Sequence, residues 1–134
     1  MNNNEILEKL TLGKEQVETV KIDDVDIELR PLTSGELSKL QAIEKKGFVM
    51  KIGVNQQGKR QTVNTNDVDV NAGDFNEYQT EAMYKAIAWS MDINEETVRD
   101  FKVGLPEKIF KEVIRISQLS DNDLTVIKQF RKNE

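Results

Sequence analysis

The 134-residue sequence predicts an α+β, mostly α fold: an N-terminal β-hairpin followed by a compact bundle of four to five helices, with an inserted polar loop or second hairpin. Three observations predict it. Val20 and Ile22, then Val25, Ile27 and Leu29, alternate with polar residues on either side of Asp23-Asp24, which is the period-two signature of an antiparallel hairpin with one buried face. From Thr33 onward, apolar residues recur at helical spacing in several separate stretches. Between residues 48 and 73 that spacing lapses into a segment rich in Asn, Gln, Gly and Thr.

The chain has the size of a single domain, and its elements follow in order. Residues 1–16 read as an arm or short helix, with Ile6, Leu7, Leu10 and Leu12 at amphipathic spacing. Residues 17–32 hold the hairpin. Asp-Asp is a weaker turn pair than Asn-Gly, because a type I′ turn asks both residues for positive φ, so a slightly longer loop is the alternative. Pro31 ends the second strand, since it donates no ladder hydrogen bond and holds Arg30 extended. Residues 33–47 read as a helix. Thr33 and Glu36 have the spacing of a reciprocal capping box, and Leu37, Leu40 and Ile43 share a face. Lys45-Lys46-Gly47 ends it, with bases at the negative end of the dipole and Gly for a left-handed cap.

Residues 48–73 are the insertion, with β-like pieces at 48–54 and 63–70 and a tip at 55–59. Residues 74–134 form the helical body. Asp74 is placed to cap its first helix with Glu77 in the reciprocal position; Phe75, Tyr78, Ala82, Met83, Ala86, Ile87 and Trp89 give that helix a broad apolar face. A short helix follows at about 94–101. Leu105-Pro106 opens the next, with Pro106 suited to the first helical position. Its core face is Ile109, Phe110, Val113, Ile114 and Ile116, and it ends by Leu119. Ser120 with Asp123 starts a final short helix carrying Leu124, Ile127 and Phe130.

Composition narrows the function. The net charge of −5 and pI near 4.9 suit nucleic acid poorly as a partner, because such binding draws on cations that displace counterions from phosphates. Lys45, Lys46, Lys51, Lys59 and Arg60 form a local basic run that reads as a solvated loop. With no Cys and no His, thiolate chemistry, disulfides, zinc–thiolate sites and the usual near-neutral acid–base group are excluded. The N-terminal Met-Asn-Asn-Asn-Glu lacks the features of a secretory signal, and no apolar run approaches membrane-spanning length, so a cytoplasmic protein without membrane association is expected.

Motif-like stretches do not alter this. Gly53, Gly58 and Lys59 match the spacing of a phosphate-binding loop, but Arg60 stands where Ser or Thr must hold magnesium. Asp67, Asp69 and Asn71 begin like a calcium loop, but Ala72 replaces the turn Gly and Tyr78 replaces the closing Glu. Ser34, Ser90 and Ser117 have no His to activate them, so neither an enzyme nor a cofactor or metal site is expected. Phe75, Tyr78 and Trp89 read as core, not as a ligand cage. The Leu124, Ile127 and Phe130 stripe has two readings: it closes the core, or it presents an apolar ridge to a partner. These three are the candidate partner-binding residues.

The run Val20-Lys21-Ile22-Asp23-Asp24-Val25-Asp26-Ile27-Glu28-Leu29-Arg30-Pro31-Leu32-Thr33-Ser34-Gly35-Glu36-Leu37 resembles the opening of the tail assembly chaperones of long-tailed bacteriophages, of the Gram-positive phage and prophage type. Those proteins open with a short hairpin, a basic residue followed by Pro-Leu, and a capped helix. The later pieces are similar too: an Ala-rich helix, the acidic Asn94-Glu95-Glu96-Thr97-Val98, and the Leu105-Pro106 helix ending at Leu119-Ser120. The resemblance implies a non-enzymatic protein of the host cytoplasm, absent from the mature virion. Its implied partners are the tape-measure protein, the tail-tube protein and further copies of itself. Competing expectations are a structural tail or head–tail connector component of the virion, and a cytoplasmic protein-interaction adaptor.

Overall fold

A computed structural model describes the backbone of residues 2–11, 16–58 and 72–132, and the side chains of these residues except 48–58, 72–76 and 132. The order is helix α1 (Asn3–Leu10), strands β1 (Glu18–Ile22) and β2 (Val25–Leu29), then α2 (Ser34–Gly58), α3 (Ala72–Met91), α4 (Glu95–Arg99), α5 (Leu105–Ser117) and α6 (Thr125–Lys132). The fold is thus mostly helical with an N-terminal hairpin, and among the described residues five helices follow that hairpin.

The hairpin forms in the register that the alternation demands, with Ile22 opposite Val25 and Val20 opposite Ile27. Its loop is the two-residue one: Asp23 and Asp24 take φ of 52° and 67°, the left-handed values a type I′ turn requires. Val20, Ile22 and Leu29 are buried and Ile27 is partly so, while Val25 beside the turn is 57% exposed, so the buried face stops one residue short. Thr19, Lys21, Asp26 and Glu28 stand on the solvent side.

Where β2 ends, polar groups tie four elements together. The Arg30 N–H donates to the Ser90 carbonyl at 2.9 Å, and the Ser90 hydroxyl donates back to the Arg30 carbonyl at 2.7 Å, joining β2 to the end of α3. The Leu32 N–H donates to Ser117 Oγ at 2.9 Å at the end of α5. The capping box forms as expected: the Thr33 N–H donates to Glu36 Oε1 (3.0 Å) and the Glu36 N–H to Thr33 Oγ1 (3.2 Å). The Arg30 guanidinium also grips both Glu36 oxygens, at 2.9 and 2.8 Å.

Helix α3 is central and packs against α2, α4, α5, α6 and β2. Ala82, Met83, Ala86, Ile87 and Ala88 are its buried face, meeting Leu40 of α2 and Ile109, Phe110, Val113 and Ile114 of α5 in one core cluster. Asn94 caps α4 as an N-cap should, accepting from the Thr97 N–H at 2.9 Å. Pro106 occupies the second position of α5, after Leu105, and Gln118 closes that helix in the left-handed conformation.

The ends of three helices differ from expectation. Helix α2 does not stop at Lys45-Lys46-Gly47 but continues to Gly58, so residues 48–58 are helical, not β-like pieces and a hairpin tip; Lys59 and 63–70 lie outside the described residues. Glycine inside a helix costs only about 1 kcal/mol, and Gly47 has a packing role that offsets it: a Cβ there would lie 2.6 Å from the Tyr78 ring and 2.8 Å from Tyr78 Cβ. Helix α3 begins at Ala72, which puts Asp74 inside its first turn and not at the cap. Helix α6 begins at Thr125, because Ser120 and Asp123 bond to each other (Ser120 N–H to Asp123 Oδ2, 2.7 Å) in a turn ahead of it.

Gly47→Ala tests the close crossing. Alanine improves helix propensity by about 1 kcal/mol, but the clash includes Tyr78 Cβ, so truncating the ring does not relieve it. The expected result in denaturant melts is a net loss of about 1–2 kcal/mol that Tyr78→Ala fails to restore.

Candidate functional site

The candidate partner residues lie where α6 closes over the core. Leu124 is 2% exposed and Ile127 0%, both within the core cluster. Phe130 is half-buried, its ring edge-on to Phe110 with centroids 6.0 Å apart and planes at 84°. Of the two readings of this stripe, core closure is the one seen. Leu124 and Ile127 are thus core side chains in this chain, and would meet a partner only if α6 left the core. Phe130 alone keeps an accessible edge.

The reason α6 sits down here is a side chain that local pattern does not reveal. Glu44, on α2, is 7% exposed and accepts from the Thr125 and Val126 N–H groups at 2.7 and 2.8 Å. It caps α6 from 81 residues away, satisfying two of the first-turn donors that have no partner within the helix. Gln41 Nε2 adds a bond to the Asp123 carbonyl at 3.0 Å. Burial pushes the Glu44 carboxyl above the usual range, outweighing the opposing pull of the Thr125 and Val126 donors. Glu36 on the same helix moves the other way: the Arg30 hydrogen bonds hold it low, with the Thr33 N–H assisting.

Beside Phe130 runs a groove of about 290 Å³ between α5 and α6. Ile114 and Phe130 form its apolar part, and Lys111, Glu112, Arg115 and Arg131 its rim. Arg115 reaches Glu18 at the start of β1 (3.1 Å) and Glu112 (3.2 Å), and Arg131 reaches Asp121 (2.7 Å). All three pairs are solvent-exposed and so contribute little to stability. A slot of about 460 Å³ lies at the open end of the hairpin among Val17, Glu28, Arg30, Ser90, Met91 and Asp92. Another of about 350 Å³ lies among Lys46, Glu77, Tyr78, Glu81 and Arg99, where Arg99 also stacks 4.8 Å above the Tyr84 ring.

Ser90 and Ser117 bond backbone groups, as described, and Ser34 is exposed at the first position of α2. Among the described residues no cluster of three or more acids is placed to hold a metal ion, and no helix is long and apolar enough to cross a membrane. Gly53 and Gly58 belong to helix α2 instead of a phosphate-binding loop, and residues 72–78 of the calcium-like stretch belong to α3. Of the basic run, Lys45 and Lys46 are exposed on α2; Lys51, Lys59 and Arg60 have no described side chains. Tyr78 and Trp89 are half-buried, while the Phe75 side chain is outside the description.

Among the described residues, exposed apolar side chains include those of α1, toward the other end of the sequence. Ile6, Leu7 and Leu10 of α1 are 39%, 57% and 75% exposed, and no residue of α1 is buried. Comparison with protein-family models, with curated proteins and with solved structures finds no match to this chain.

Two tests follow from the α6 closure. Ile127→Ala should lower stability by about 2–4 kcal/mol in equilibrium unfolding; an unchanged midpoint would mean that the stripe is not core. The two glutamates should show opposite pH dependence. Glu44 has a raised pKa in the folded chain, so its contribution improves as pH falls through that raised value toward the ordinary glutamate range; wild-type stability minus that of Glu44→Gln therefore rises on acidification. Glu36 has a depressed pKa, so its contribution is present above the ordinary range and lost as pH falls below it; the difference from Glu36→Gln therefore shrinks.

Proposed function

We propose that this chain is a non-enzymatic tail assembly chaperone of a long-tailed bacteriophage. It binds tape-measure and tail-tube proteins in the host cytoplasm, keeps them soluble while the tail is built, and is left out of the finished particle. The observation that carries the reading is the segment at 20–40, whose alternating hairpin residues, Arg30-Pro31 step and Thr33/Glu36 pair resemble the family's opening.

Physical considerations support it. A long tape-measure helix exposes apolar stripes that aggregate until the tube encloses them, and an acidic protein of net charge −5 that covers such stripes adds repulsion between the coated chains. Open apolar side chains on α1 and the half-open Phe130 supply surface for such contacts.

Co-expression with the phage's tape-measure protein should raise that protein's soluble fraction and yield a complex on affinity purification. Unchanged solubility with no complex removes the chaperone reading. Purified virions separate the remaining classes: a connector is present in them, whereas a chaperone is not, and an adaptor unrelated to assembly binds no tape-measure protein.

A further inference from the structure

We propose that the outer edge of strand β2 receives an extended basic–apolar–basic segment of another protein, which adds to the hairpin as a third strand. The register fixes which backbone groups point outward. Ile22 and Val25 flank the two-residue turn, so they, Val20 with Ile27, and Glu18 with Leu29 exchange the hydrogen bonds between the strands. The N–H and C=O of Asp26, Glu28 and Arg30 therefore face away from β1. At Arg30 that rung is filled: the Ser90 carbonyl accepts its N–H at 2.9 Å, and the Ser90 hydroxyl donates to its carbonyl at 2.7 Å, as a neighbouring strand would. The next two rungs, at Glu28 and Asp26, have no partner among the described residues, and both residues are exposed.

Charge selects the edge and its occupant. The β1 edge is bracketed by α5, whose Lys108 and Arg115 reach Asp23 and Glu18 at the two ends of that strand, at 2.8 and 3.1 Å. Along β2 the solvent face is acidic. Asp26 and Glu28 form no ion pair among the described residues, and the one cation on that face of the hairpin is Lys21, across from Asp26. Asp92 adds a carboxylate from beyond the end of α3; Arg30, which Asp92 also attracts, is bound to Glu36. Two β2 edges meeting would set like charges opposite each other, which disfavours a second copy as the occupant. A Lys or Arg opposite Asp26 and another opposite Glu28 answer both carboxylates, because cross-strand neighbours share a face. The residue between them stands beside the partly buried Ile27 and near Val25, which is 57% exposed, so an apolar side chain fits there.

The slot of about 460 Å³ lies where this edge runs into Ser90. Because Ser90 already fills the Arg30 rung, the added strand stops at Glu28, and its basic residue there lies against the slot. Val17 and Met91 give that side chain an apolar wall for its stem, and Glu28 and Asp92 give carboxylates for its head. Backbone bonds thus supply the attachment and the three acids supply the choice of sequence.

The probe is the peptide acetyl-Thr-Lys-Val-Lys-Thr-amide, titrated to roughly 1 mM into the full chain at low ionic strength and followed by amide NMR and hydrogen exchange. The amides of Asp26 and Glu28 should gain protection, while those of Thr19 and Lys21 keep theirs. Asp26→Lys with Glu28→Lys should weaken binding by about tenfold and turn the preference to the same peptide with Glu in place of Lys. A peptide methylated on the backbone nitrogen of both lysines keeps its charge but cannot donate to the edge carbonyls, so it should not bind. Equal binding of the methylated peptide, protection gained on β1 instead of β2, or no response at Asp26 and Glu28 would each overturn the proposal. So would a peptide-free dimer that protects those two amides, since a second copy would then be the occupant. The chaperone reading is tested separately: a chain that solubilises tape-measure protein yet ignores the peptide defeats only the strand addition.

Discussion

Pro31 cannot continue the hairpin ladder, so the chain must leave the sheet at Arg30, and every polar group at that corner needs a new partner. The solution joins the molecule. The backbone of Arg30 is taken up by Ser90 at the end of α3, the Leu32 N–H by Ser117 at the end of α5, and the Arg30 side chain by the carboxylate that also caps α2. A planar guanidinium suits this last task because its fork reaches both carboxylate oxygens at once. With the corner fixed, β1 and β2 can lie only with Val20, Ile22 and Leu29 toward α3 and α5, and the rest of the core assembles on that face.

Helix α2 carries two glutamates eight positions apart that work by different physics. Glu36 is partly buried, its side chain 15% exposed, and answers a full positive charge on Arg30. Glu44 is buried and answers only the partial charges of two backbone N–H groups at the start of α6. The first stabilises its own helix; the second attaches a different one. Between them Leu40 enters the core, so that face of α2 alternates apolar filling with polar attachment.

Much of the fold was legible because its signals are local. The hairpin register, the Thr33/Glu36 box and the α5 face each depend on residues within a few positions of one another. Features set by distant partners were not. Ser90 and Ser117 read as idle hydroxyls until the fold brings them to residues 60 and 85 positions away. Gly47 looked like a helix stop because a cap and a close crossing ask for the same residue, and only the presence of Tyr78 distinguishes them. Ser120 and Asp123 have the spacing of a cap, but the pair satisfies itself in a turn and leaves the task to Glu44. The Leu124, Ile127 and Phe130 stripe was ambiguous for the same reason, since an amphipathic face does not say whether its cover is internal or external.

The Glu44 attachment has a consequence for biosynthesis. On the ribosome, α2 emerges long before α6, so for most of translation its carboxylate and the apolar trough along α3 and α5 have nothing to cover them. Completion of residues 124–127 is therefore the step that seals the domain. A nascent chain stalled before that point leaves Phe110 and Ile109 uncovered, and proteases and holdases recognise such exposed surface.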